Sequence, residues 1–587
     1  MDEAFELELL RNETLQRDEL VHDDLARLDR AIATTYTLLM AIVLMLMQAG
    51  FAMLEAGSVR ERGVRDVLFK NMLDFSIGAV AWYLLGYLFY SDSGNCFIGM
   101  PTGLKLANGS STPFAAIQEA HTMLHGQDVS QYQMSFIFAV TCATIVSGAI
   151  AERTQQRAYI FSSSAMVGLV YPVVAHWVWS SRGWLSFGGK SAVLGGAFDF
   201  AGGGVVHVTG GVMALVAAAA VGPRAGRFEH SAAGQGKLPG NSAVLITLGT
   251  LLLWIGWMGF NCGSVGDVTR AGAATLAAQV AVRTTLAGSA GSLAATTLAR
   301  CRNRVGPMGQ WGVWSLEHAC NGLLGGLVSI TAGAPVVNEW TALIVGAIGG
   351  LVYFSASHVV SELLRIDDVV DAFAVHGACG MWSLLAVGLL ADGSLPVPAG
   401  DTITNVDSSA PVDDEPAAVV LVRGAFAGGG GSLFAAELVA ALCISAWALA
   451  LAVFIFGLAK RLKVLRISAE YEITGIDIAE LGSPAYAMRE HDLSQPQGAV
   501  ALPIEDASEA AAASQAGEPG SVELQPQIAE GRLVVSDGTS MIATGAGAPS
   551  DDGADAAGTE PAVEIPEGQA IYGPQREFVQ SMMSPQV

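Results

Sequence analysis

The sequence predicts an all-α polytopic membrane protein of eleven transmembrane helices, arranged as a five-plus-five inverted repeat plus one final helix. Three observations predict it. The 587-residue chain is 52% hydrophobic and only 14% charged, whereas soluble domains carry roughly 25% charged residues. Its apolar residues gather into runs of about 20, the length that crosses a hydrocarbon core. Its 69 glycines suit close-packed spans, because small residues let helix backbones approach.

The spans fall at 33–55, 72–91, 132–151, 158–180, 202–222, 243–263, 273–298, 315–333, 341–361, 372–391 and 433–458. An odd number places the two termini on opposite sides. Basic residues choose the side. Arg60, Arg62, Arg65 and Lys70 follow the first span, and Arg153 and Arg157 the third. Arg224, Arg227 and Lys237 follow the fifth, Arg300, Arg302 and Arg304 the seventh, Arg365 the ninth, and Lys460, Arg461, Lys463 and Arg466 the last. The positive-inside rule makes these loops and the C-terminus cytoplasmic and the N-terminus extracellular. Arg27 and Arg30 at the N-terminal flank oppose this and are outvoted. Asn12 and Asn108 then head outward-facing glycan-acceptor triplets.

The net charge of −24 does not imply a nucleic-acid partner, and its excess acid gathers at the two ends. Residues 1–32 form an acidic extracellular segment without the apolar stretch of a signal peptide. The transmembrane domain is 33–467 and a cytoplasmic segment covers 468–487. Residues 488–587, rich in Ala, Gly, Ser, Pro and Glu, read as a disordered acidic cytoplasmic tail. Five of seven cysteines lie in apolar runs, and no spacing suggests a metal or a cofactor. Only Cys96 sits in a polar loop.

Two histidines stand almost alone in apolar spans: His207 in DFAGGGVVHVTGGVM and His376 in DAFAVHGACGMW. An ionisable group in a bilayer core is costly and faces a pathway or a buried partner. Two readings stay open from spacing alone: a shared polar spot in a conduit, or two packing histidines. The ten leading spans split five and five, with one histidine ending each half, which is a known transporter plan.

At these residues the chain resembles the ammonium transporter family (Amt/Mep/Rh), closest to its plant-type branch, from about Thr34 to about Tyr486. The landmarks are MQAGFAMLEAGSVR, KNMLDFSIGA, TIVSGAIAERTQ, YPVVAHWVWSSRGW, DFAGGGVVH, GWMGFNCGS, ACNGLLGGLVSIT, DDVVDAFAVHGACG and LRISAEYEITGIDIAELG, in that order. The resemblance implies a plasma-membrane homotrimer in lipid, one conduction path per subunit, ammonium, ammonia and methylammonium as cargo, and no enzymatic activity. His207 and His376 resemble the paired pore histidines. Phe138 and Phe260 resemble the stacked aromatic gate, with Phe136 the alternative in YQMSFIF. The family's glutamine three positions before the gate would fall at Ser135, so this chain departs there. Trp179 and Ser264 resemble the outer cation-recruiting pair, and Asp199 the buried acid behind it, which could equally be a helix N-cap. Gly475 and Asp477 lie in a segment like the family's regulatory one, where Ala479 replaces its threonine; that segment is expected to pack on a neighbouring subunit. Glu55 and Asp74 read as structural contacts, and His121, His125 and His230 as solvated loop residues. A non-conducting ammonium sensor is the second functional reading.

Overall fold

The structure, a computed structural model, describes residues 3–92, 94–99, 129–229, 238–302, 312–398 and 419–486. Asn108, His121, His125, His230 and the tail beyond 487 lie outside the described residues. The helices are α1 (Glu3–Ser58), α2 (Glu61–Tyr90), α3 (Val129–Ala149), α4 (Gln156–Trp179), α5 (Gly203–Val221), α6 (Ala243–Gly263), α7 (Ala273–Arg302), α8 (Leu316–Thr331), α9 (Glu339–Leu363), α10 (Phe373–Leu390) and α11 (Ser432–Arg461). Two short helices follow, α12 (Ala469–Thr474) and α13 (Ile476–Leu481).

Among the described residues nine of the first eleven helices, all but α7 and α8, are long and apolar enough to cross a membrane. α7 is diluted by Thr, Gln and Arg, and α8 has 16 residues. Both pack against α9 in the same bundle. Polar side chains start several helices at loop junctions: Ser242 accepts from the Leu245 amide, Ser315 from His318 and Asn338 from Thr341, each satisfying an otherwise orphaned helix donor. α3 and α5 are buried on nearly all sides. Elsewhere large apolar side chains such as Leu39, Ile42, Val244, Leu251, Val453 and Phe454 face outward, as they must where lipid is the solvent.

α1 begins at Glu3, so the acidic N-terminal stretch is helical and continuous with the first span. Two expectations need correction. α2 begins well before residue 72, so Arg65 and Lys70 are helical and not in a loop. Lys70 is buried, with its ammonium on Asp66 Oδ2 at 2.7 Å and the Thr154 carbonyl at 2.8 Å; an i, i+4 pair holds it inside. The molecule is not purely helical either, since β1 (Asp392–Pro398) pairs antiparallel with β2 (Val419–Arg423) between α10 and α11.

Glu55 accepts from Asn71 at 2.8 Å and Ser147 at 2.9 Å, and Asp74 accepts from Ser163 at 2.7 Å and from Tyr159. Both buried acids are thus satisfied inside the bundle.

The basic end of the bundle carries an ionic network. Arg224 reaches Glu152 at 2.7 Å and Asp367 at 2.8 Å, Arg60 also binds Glu152, and Arg227 reaches Asp367 at 3.2 Å. Burial pushes the Asp367 carboxyl up, but hydrogen bonds and charge from Arg224 outweigh it and hold the group well below the usual carboxylate range. Burial and the Arg224 and Arg60 charges oppose each other at Glu152 in the same way, again with a net lowering.

Candidate functional site

The two histidines sit in matching places. Each lies in a π-helical turn that opens its span: residues Gly203–Val208 begin α5 and Phe373–Ala378 begin α10. Such turns widen the helix by one residue and cluster at functional sites. In α5 the turn is shown by the His207 amide bonding back to the Gly202 carbonyl at 3.1 Å. Gly202 has φ +95°, a left-handed conformation that costs glycine little. α5 and α10 then meet backbone to backbone, because a Cβ on Gly211 would lie 2.1 Å from the Gly377 nitrogen.

That approach brings His207 Nδ1 to 3.1 Å from His376 Nδ1, with both rings buried. One Nδ1 must donate and the other accept. The donating ring therefore keeps Nε2 as an acceptor, and its partner presents Nε2 as a donor. His207 Nε2 is enclosed and has no protein partner. Trp257 lies flat against the His207 ring at 5.4 Å and is fixed by its indole N–H on Thr331 Oγ1 at 3.1 Å.

The pair ends a file of rings. Trp179 meets Phe138 edge-on at 5.7 Å, Phe138 overlaps Phe260 at 4.2 Å, and Phe260 lies 5.4 Å from His207. Phe136 instead packs on Phe75 at 5.4 Å, so the geometry selects Phe138 over Phe136 as the partner of Phe260. Above the file is a recess lined by Trp179, Phe138, Ser264, Ser135, Gln131 and Tyr90. Ser264 donates its hydroxyl hydrogen to the Phe260 carbonyl at 2.9 Å, which leaves oxygen lone pairs for a donor in the recess. Trp179 is held by its indole N–H on the Asp199 carbonyl at 2.7 Å.

The Asp199 carboxylate does not line this recess. It accepts four amides at the start of α5, from Gly202, Gly203, Gly204 and Val205, at 2.7–3.0 Å. The carboxylate thus caps the start of α5, where a negative charge is favoured. Sequence reasoning passed over Trp257, whose signal was only a tryptophan one turn before Phe260. It also passed over His176, a buried ring with Nδ1 2.9 Å from the Ser91 carbonyl and Nε2 2.8 Å from that of Asn95.

At the basic end, Gly475 (φ +115°) separates α12 from α13. Asp477 accepts the Arg65 amide at 3.0 Å and the Asp66 amide at 2.8 Å, and so caps α2. Glu472 accepts the Ala225 amide at 2.6 Å and pairs with Arg466 at 2.7 Å. The segment thus holds the start of α2 and the loop after α5 of its own chain. Asn12 is exposed on the first turns of α1.

A buried histidine pair beneath aromatic rings, inside a bundle of apolar helices, defines a multi-pass membrane protein with a polar spot in an apolar interior. Residues 35–486 match the sequence profile of the Ammonium Transporter Family, and the chain belongs to that family. It is 37% identical to Ammonium transporter 1 member 3 of Solanum lycopersicum over 78% of this chain and 93% of that protein. Ammonium transporter Amt2 of Archaeoglobus fulgidus is 35% identical over 77% and 87%. Among solved structures, one described as a Sensor Amt Protein aligns at TM-score 0.62 and 26% identity, covering 77% of this chain and 99% of its own. Saccharomyces cerevisiae Mep2 aligns at TM-score 0.58 and 24% identity, over 75% and 89%, and supports the fold alone.

Proposed function

We propose that this protein carries ammonium and ammonia across the plasma membrane as a homotrimer, with one path through each subunit. The observation that carries this reading is the His207–His376 contact at 3.1 Å, in line with the Phe138–Phe260 stack beneath the Trp179 recess. α7 and α8 join the nine apolar helices as spans, which makes eleven in a five-plus-five repeat plus α11. The basic end is cytoplasmic and the recess opens outside, where Asn12 and Asn108 are glycan acceptors.

Ammonium sheds water at the recess. The Trp179 face attracts the cation, worth up to about 2 kcal/mol when desolvated, and Ser264 accepts one N–H. Asp199, occupied by its four amides, supplies negative potential without binding the ion. The two phenyl rings close the way to hydrated ions. Beyond them a bare charge is expensive and neutral ammonia is not, so the cation loses its proton near the mouth. Ammonia then meets the donor and acceptor nitrogens of the histidine pair, and the proton leaves by a separate polar route. The Gly475–Asp477 segment regulates the path by its hold on α2. With alanine at 479, phosphorylation there is excluded, and Ser468 is engaged as the cap of α12.

The likeness to a structure described as a sensor, together with the long tail, supports a second reading: an ammonium sensor with weak or no conduction. Ammonium-evoked current and methylammonium uptake, measured in cells lacking their own transporters, separate the two. Protein that reaches the surface and moves nothing ends the transport reading.

A further inference from the structure

α11 contains a single acidic residue, Glu437. It lies in the second turn from the start of the helix and is fully buried. Its Oε1 accepts the Phe198 amide at 2.7 Å. Its Oε2 is enclosed and has no hydrogen-bond partner. The residue after Phe198 is Asp199, whose carbonyl fixes Trp179 and whose carboxylate takes four amides. Residues 198–199 therefore join two buried carboxyls, that of Glu437 through the Phe198 amide and that of Asp199 itself, to Trp179 of the outer recess. Among the described residues neither carboxyl forms an ion pair with Lys, Arg or His. The charge that reaches Glu437 from the segments packed on it is that of Asp199, and Tyr171 is a further titratable group near Asp199.

The two acids differ in what satisfies them. Four amides at a helix N-terminus stabilise an anion, so Asp199 is the fixed charge. One amide and an orphaned oxygen do not stabilise an anion in apolar surroundings, least of all beside another carboxylate. An O–H on Oε2 removes that second charge while Oε1 keeps its amide.

We propose that Glu437 is a proton-holding acid that sets the charge behind the outer recess at one negative unit, acting on the bound cation as a positioning residue through the 198–199 segment and Asp199. The proton is held on Oε2; releasing it to solvent leaves a carboxylate and doubles the buried negative charge. Linkage is reciprocal: if ionising Glu437 tightens cation binding about tenfold, a bound cation makes Glu437 about tenfold more acidic. The inference rests on the recess being the cation site.

Glu437→Gln tests it, since the amide keeps the shape and the Oε1 acceptor but cannot release a proton. The purified full chain is compared with the variant in two measurements. Infrared spectra record the carbonyl band of a protonated carboxylic acid, and methylammonium binding is titrated between about pH 6 and about pH 9. The wild type is expected to show a band that the variant lacks, and to bind methylammonium about tenfold tighter at the alkaline end while the variant stays flat. Equal affinity is expected at the acidic end. An unchanged carboxylic-acid band in the variant, or identical pH dependence in both proteins, overturns the proposal. If neither protein binds methylammonium while the band is still lost in the variant, the recess reading fails and the proton on Glu437 stands. A variant that misfolds is replaced by Glu437→Asp, which must retain a carboxylic-acid band and a pH-dependent affinity.

Discussion

Gly211→Ala places one methyl group between the two histidine-bearing helices. The new Cβ would lie 2.1 Å from the Gly377 nitrogen and 2.4 Å from its Cα. Ordinary contact begins at 3.4 Å, so the backbones must part by about 1.3 Å. The obstacle is main chain on both sides, and no side-chain rotation relieves it. The histidine contact is 3.1 Å, and a hydrogen bond is lost beyond about 3.5 Å. A third of the separation, passed along the helices, is therefore enough to break the pair. Overpacking of this kind costs about 1–3 kcal/mol, so the variant should reach the membrane with a lowered melting temperature. Uptake of methylammonium per molecule at the surface should fall at least tenfold, on the premise that the pair serves conduction. Gly457→Ala is the control, since nothing lies within 4 Å of its added Cβ. Wild-type melting and wild-type uptake in Gly211→Ala would refute the packing argument. A destabilised variant with full uptake would instead refute the role given to the pair.

Three other outcomes follow from the site. His207→Ala and His376→Ala should each damage ammonia conduction or its selectivity over potassium while leaving the fold largely intact; a double variant with normal uptake and selectivity would show that the pore lies elsewhere. Trp179→Leu should chiefly raise the ammonium concentration for half-maximal transport, and an unchanged concentration dependence would remove its recruiting role. Asp367, whose folded carboxyl lies below its unfolded value, contributes stability that is full above the unfolded value near about 3.9 and is lost as pH falls towards the folded one. Asp367→Asn should therefore lower the melting temperature at neutral pH, with the gap to wild type closing below about pH 4; a gap that persists in acid would mean that shape, not charge, matters there.

Much of the fold was legible because lipid imposes a simple code. Any backbone crossing it must be helical and apolar for about 20 residues, and those runs stand out in the sequence. What the code does not carry is where a helix starts in water. α1 extends back to Glu3, and α2 buries Lys70, because a charge counts as solvated only until its Asp66 partner is known. His207 and His376 stood out on their own as ionisable groups in apolar spans, whereas Trp179, Phe138 and Phe260 came from family landmarks, since each of those alone reads as packing. Phe138 was preferred to Phe136 on the family register alone, and the physical difference shows only in space, where Phe138 faces Phe260 and Phe136 faces Phe75. Glu437 and Trp257 went unread for a different reason. Each acts through a residue distant in sequence, Phe198 and His207, and no local pattern announces such a partner.

The wide turns that begin α5 and α10 each hold one residue more than a regular helix would need. Closing either turn to ordinary pitch with that residue kept would rotate everything on one side by about 100° relative to the other. An imidazole would then swing out of register with its opposite number. Both halves of the molecule carry the same surplus at the same place, so the alignment of the two rings is a matter of residue count as much as of residue type.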